Sequence, residues 1–161
     1  MRSGILETEK IPFLPNHNLN YKISVKNRIF EGNAVSMGNP HFVIFIKDDE
    51  DLLEIAKTYV PEIELSAEFP EKKNVEFIII KSHKKIQLCV WERGCGITLA
   101  CGTGACASVV AGILNGYLEN SVGVELLGGI VNVTWSGSQD DPDSDVFLSG
   151  PAEYVFEAEL V

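Results

Sequence analysis

The chain has 161 residues, 45% apolar and 22% charged, which suits one globular domain with a core of its own. Its 23 acidic against 13 basic side chains leave a formal charge of −10. Such a surface gains nothing from releasing phosphate counterions, so nucleic acid is not an expected partner.

Residues 1–20 read as irregular, with a short edge strand at Ile11 to Phe13. Tyr21 to Val25 and Arg28 to Val35 alternate apolar and polar residues around a Lys26-Asn27 turn, the pattern of a hairpin. Phe42 to Ile46 is a continuous apolar run and predicts a buried strand. Asp48 is placed to cap a helix from about Asp49 to Tyr59, with Leu52, Leu53, Ile55, Ala56 and Tyr59 on one face and Pro61 as its stop. Asn74 to Lys81 and Lys84 to Glu92 form a second hairpin; the basic cluster between Lys81 and Lys85 falls in its solvated turn.

A glycine-rich loop then leads into an apolar helix ending near Asn115 and closed by Gly116. Val122 to Leu127 and Ile130 to Trp135 flank Gly128-Gly129 as a third hairpin. After an acidic loop, Val146 to Ser149 and Ala152 to Leu160 finish the chain as strands. Strands that arrive as hairpins predict a largely antiparallel sheet. A helix apolar on nearly all sides must be enclosed. The expected fold class is therefore α+β, one domain over 1–161, with a curved sheet wrapped around a central apolar helix.

Residues 94–118 carry no charge, but the continuous apolar helix from Ala105 to Leu114 is far short of the roughly 20 residues a bilayer requires. No membrane association is expected, and no leader pattern of basic then apolar residues opens the chain. Four cysteines, Cys89, Cys95, Cys101 and Cys106, crowd into 18 residues. That clustering suits a reducing, cytoplasmic setting better than a disulfide framework, and the spacings are not those of a structural zinc knuckle, so no metal is expected. Gly102-x-Gly104-x-x-Ala107 matches the dinucleotide fingerprint formally. No βαβ alternation is expected around it, so a dinucleotide is not.

Three segments can carry chemistry. Cys101 sits where the loop becomes the helix, and the positive helix end favours a thiolate. The first-turn amides beside it can hold a carboxylate. Gly38-Asn39-Pro40-His41 opens the buried strand and can direct polar groups into a pocket. Glu92-Arg93 ends an apolar strand just before the loop; a glutamate can move protons, and an arginine can clamp a carboxylate.

Five motifs occur in order: Met37-Gly-Asn-Pro-His41, Asn74-Val-Glu-Phe77, Glu92-Arg-Gly-x-Gly-x-Thr98, Ala100-Cys-Gly-Thr-Gly-Ala105 and Ser149-Gly-Pro-Ala152. Together they resemble the C-terminal half of diaminopimelate epimerases. The resemblance implies a cofactor-independent exchange of LL- and meso-diaminopimelate in lysine and cell-wall precursor biosynthesis. Two cysteines act there from opposite faces of the α-carbon. It further implies that Cys101 is one of them, that His41 and Glu92 assist proton handling, and that Asn39, Asn74, Arg93, Gly102 and Thr103 bind substrate. Such enzymes have two similar halves, and the half with the second cysteine is not in this sequence. The chain is expected to be inactive alone, to need that N-terminal domain as partner, and to offer an inter-domain face that invites self-association. Cys89, Cys95 and Cys106 read as buried, inert thiols. Two other readings stay open: an isomerase of the same fold group, proline racemase-like or phenazine-biosynthesis-like, and a non-catalytic binding or oligomerisation module.

Overall fold

The computed structural model describes residue 6 and residues 10–159. Among them are nine strands and two helices: β1 (Tyr21–Val25), β2 (Arg28–Ser36), β3 (Pro40–Ile46), α1 (Leu52–Glu64), β4 (Asn74–Ser82), β5 (Lys85–Glu92), β6 (Gly96–Ile97), α2 (Gly102–Leu114), β7 (Ser121–Leu126), β8 (Gly129–Trp135) and β9 (Val146–Ser149). One sheet holds all nine strands in the order β1-β2-β3-β4-β5-β7-β8-β9, with β6 beside β5.

Most neighbours are antiparallel, as the hairpins predict. Two pairs are parallel, β3 with β4 and β5 with β7. Each is bridged by a helical crossover, α1 and α2 respectively, so the expectation that no parallel βαβ unit surrounds the glycine loop is corrected. A hydrophobic pattern reports which face a residue occupies, not which strand lies beside it.

Strand alternation sorts the core into two layers. Val43, Ile78, Ile86, Leu88, Val124 and Val133 pack with Ala105 to Ala111 of α2. Phe42, Ile44, Val75, Phe77 and Cys89 pack with Ile55, Ala56, Val60 and Ile63 of α1. Central strands β3, β4 and β5 are thus covered on both faces. α2 touches strands from β2 to β9, so the sheet curves around it, as its all-round apolar sequence requires.

Local differences have identifiable causes. α1 is capped by Asp51, not Asp48: Asp51 Oδ1 accepts from the amides of Leu53 at 2.9 Å and Glu54 at 3.1 Å, while Asp48 pairs with Lys81 of β4. Pro61 lies inside α1 instead of ending it. A helix-interior proline costs about 3 kcal/mol; complete burial of Val60 and Ile63 offsets that cost. Ile11 lies in a turn and Phe13 just beyond it, both buried and neither in an edge strand. Residues 152–159 form no strand and are exposed, because none of the sheet's strands pairs with them. Residues 1–5, 7–9 and Leu160, which fall in the expected irregular start and final strand, lie outside the described residues. No helix among the described residues is long and apolar enough to cross a membrane.

Candidate functional site

The site gathers where the inner face of the sheet meets the first turn of α2. Cys101 is the N-cap residue of that helix, with extended backbone at φ −139° and ψ 108°. Its sulfur accepts from the Gly104 amide at 3.3 Å and lies 3.4 Å from Thr103 Oγ1. The Gly102 and Thr103 amides, the first two of the helix, have no partner among the described residues. Unpaired first-turn amides of this kind are able to accept an anion.

Three strands face this helix end. In β3, His41 is fully buried; its Nδ1 lies 2.7 Å from Glu76 Oε1 and its Nε2 lies 3.1 Å from Asn39 Oδ1. In β4, Glu76 is also fully buried, two residues beyond Asn74 in register with His41. In β5, Glu92 shares the inner face with Leu88 and Val90 by alternation, and its Oε1 accepts from Thr98 Oγ1 at 2.6 Å. A β-carbon built on Gly104 would stand 2.9 Å from Glu76 Oε1 and 3.3 Å from the Cys101 sulfur. Carboxyl and thiol therefore flank the same point of α2.

Cys101, His41, Asn39, Glu92, Gly102 and Thr103 thus come together. Asn74 and Arg93 form a pair of their own beside them. The Arg93 amide donates to Asn74 Oδ1 at 2.9 Å, and its exposed guanidinium donates to the Glu71 carbonyl at 2.8 Å. Glu64 reinforces that loop by accepting from the Gly94 amide at 3.1 Å and Trp91 Nε1 at 3.3 Å.

The electrostatics correct one expectation. Burial pushes the Cys101 thiol up, not down. Thr103 and the Gly104 amide pull the other way, and the charges of Glu76 and Glu92 add to the rise. Burial of the sulfur outweighs the hydrogen bonds from Thr103 and the Gly104 amide, so the neutral thiol is favoured. Cys89 and Cys106 are buried and pushed up to about 11 by that burial, as inert thiols should be. Cys95 is exposed, against the expectation that it is buried. Among the described residues no cluster of three or more His, Cys, Asp or Glu side chains could hold a metal ion.

Glu76 is the site residue that sequence reasoning missed. Its motif was visible, but a glutamate between a valine and a phenylalanine reads as the outward member of an alternating strand. The available signal was the strand itself: β4 is apolar on both faces, so a lone acid within it has no solvent to face.

Two solved structures share the fold. A probable proline racemase from Agrobacterium radiobacter matches 84% of this chain with a TM-score of 0.57 at 15% identity, over 50% of its own length. A hydroxyproline epimerase from Agrobacterium vitis matches 75% with a TM-score of 0.56 at 14% identity, over 41% of its length. Residues 33–155 match the family model described as diaminopimelate epimerase, and the chain belongs to that family. A diaminopimelate epimerase of Halothermothrix orenii is 50% identical over 88% of this chain and 47% of its own length. One of Desulfitobacterium hafniense is 45% identical over 100% of this chain and 55% of its own length. The chain thus spans about half the length of the curated relatives it matches.

Proposed function

We propose that this chain is the Cys101-bearing half of a cofactor-independent epimerase that interconverts LL- and meso-diaminopimelate. The observation that carries the reading is Cys101 as N-cap of α2, beside first-turn amides with no partner among the described residues and in front of the buried His41–Glu76 pair.

The chemistry asks for this arrangement. An amino-acid α-proton is a very weak acid, and no pyridoxal phosphate is invoked to absorb the negative charge. The Gly102 and Thr103 amides would hold the reacting carboxylate and stabilise charge that develops on it as the Cα–H bond breaks. Cys101 would stand at one face of the α-carbon. As a neutral thiol it delivers a proton to the carbanion; in the reverse direction its thiolate removes one. The second cysteine, at the opposite face, would come from an N-terminal half like that of the relatives. Asn39, Asn74 and Arg93 would bind substrate, including its distal amino-acid end. His41 and Glu92 would assist the proton's path. One cysteine can exchange the α-proton with solvent but inverts poorly, so the chain alone is expected to be inactive.

The test is assembly in trans. The 161-residue chain is mixed with the N-terminal half of a relative, and α-deuteration and inversion of LL-diaminopimelate are followed in D₂O by NMR. The expected result is inversion only in the mixture, abolished by Cys101→Ala. Robust inversion by the chain alone, or by the Cys101→Ala mixture, rejects the proposal.

A further inference from the structure

Glu76 costs the fold more than packing can justify. It is fully buried, and its Oε2 has no hydrogen-bond partner among the described residues. Leaving a buried polar oxygen unpaired costs about 1–3 kcal/mol. Position 76 lies on the same face of β4 as Ile78 and Ile80, which pack against the α2 layer. An aliphatic side chain there would avoid the penalty. The carboxyl must therefore answer to a neighbour, and the side chain within hydrogen-bond distance is His41.

Both imidazole nitrogens of His41 are engaged. An amide oxygen only accepts, so Nε2 facing Asn39 Oδ1 carries a hydrogen. On the other side, Nδ1 and Glu76 Oε1 share one proton across 2.7 Å. Either the protonated carboxyl donates to Nδ1, or Nδ1–H donates to the carboxylate. Moving between the two forms breaks an O–H bond and makes an N–H bond, and the pair is neutral throughout.

We propose that Glu76 is a positioning residue for His41: its carboxyl fixes the ring's orientation and tautomer and stores the proton that His41 exchanges beside the Cys101 sulfur. The geometry is that of a buried carboxyl orienting a catalytic histidine. The groups that face Glu76 are His41 and the Phe42 amide from β3, Glu92 from β5 and Cys101 from α2. Burial pushes the Glu76 carboxyl up, against the opposing pull of His41, and Glu92 adds to the rise. The shared proton spares Cys101 a second bare carboxylate. The proposal rests on the reading above only in taking His41 to handle protons during turnover.

The test needs no turnover. Histidine ¹⁵N–¹H spectra and the pH profile of Cys101 alkylation are recorded for the wild-type chain, Glu76→Gln and Glu76→Asp, with thermal unfolding as a check of fold. Wild type is expected to show a low-field, exchange-protected proton in the His41 Nδ1–Glu76 hydrogen bond, distinct from His17 and His83. Glu76→Gln keeps the side chain's shape but cannot share a proton, so that signal disappears. Removing the carboxyl also removes the proton store beside the sulfur, so the Cys101 alkylation profile departs from that of wild type, by roughly three- to tenfold in rate at fixed sub-saturating pH. Glu76→Asp restores the carboxyl and recovers part of both signatures. A wild-type spectrum without that proton overturns the proposal even if Glu76→Gln fails to fold. A folded Glu76→Gln with wild-type spectrum and profile overturns it too. Failure of the epimerisation assay would leave these readouts intact.

Discussion

Gly104 and Glu76 meet across the boundary between helix and sheet: a β-carbon on Gly104 would lie 2.9 Å from the Glu76 carboxyl, closer than real β-carbons approach. The first turn of α2 can rest on β4 only because position 104 has no side chain. Gly104→Ala sets two effects against each other. Alanine is the better helix former by about 1 kcal/mol. Overpacking a fixed site costs about 1–3 kcal/mol, and the atoms met are a buried carboxyl and the Cys101 sulfur, neither with room to move. The expected net is a loss of about 1 kcal/mol in urea unfolding, with a changed Cys101 alkylation rate. A stabilised Gly104→Ala with wild-type thiol reactivity would show that the contact is slack.

The Cys101 thiol should ionise above the range of an ordinary exposed cysteine, because burial outweighs its hydrogen bonds. Alkylation followed by mass spectrometry across pH reads this site by site, with Cys101→Ala as control. Exposed Cys95 should be alkylated faster than sheltered Cys101 at neutral pH. Thr103→Val removes the hydroxyl 3.4 Å from the sulfur and should slow Cys101 further at a given pH. Cys101 reacting ahead of Cys95 at neutral pH would mean that the helix end prevails after all.

Much of this site was legible in the sequence. Cys101, Gly102 and Thr103 announce a helix start because a capping residue followed by small residues and an apolar run has few other meanings. His41 and Glu92 were visible because each sits at the end of an apolar strand. Glu76 was not, because alternation identifies two faces but not which of them is dry; only α1 on one side and α2 on the other settle that. The sign of the Cys101 shift was hidden for the same reason. A helix end is local and can be read along the chain, whereas the burial that opposes it comes from packing against distant strands. The start of α1 was missed differently, since Asp48 and Asp51 both suit a cap and only a contact with Lys81 draws the first away.

That choice between caps is measurable. Asp51→Ala removes the acceptor for two first-turn amides and should cost about 1 kcal/mol. Asp48→Ala removes an exposed ion pair with Lys81, which contributes at most a few tenths to one kcal/mol. Urea midpoints of the two variants should fall in that order. The reverse order would return the cap to Asp48.

Lys73 gives the fold a pH dependence of known sign. Its Nζ is fully buried, donates to the Ile63 carbonyl at the end of α1 and to Ser66 Oγ at 2.6 Å, and lies 4.2 Å from the centre of the Phe69 ring. Burial pushes the ammonium down to about 7, against the attraction of Glu68 and Glu64. A neutral amine has two N–H groups, and the two acceptors use both. An unfolded lysine titrates near pH 10.4. Between about 7 and that value the unfolded chain holds a proton that the folded chain has released, so stability attributable to Lys73 rises with pH across this window. Below about 7 both states are charged and the full burial cost is present. The stability difference between wild type and Lys73→Met, from urea unfolding at pH 6 to 10, should be flat at the acid end. It should then turn in favour of wild type as pH rises, by an amount on the order of a few kcal/mol. The Cys89 and Cys106 thiols, pushed up to about 11, slope the other way, but they are common to both proteins and cancel in the difference. A difference that is flat or falling between pH 7 and 10 would mean that Lys73 keeps its charge in the folded chain.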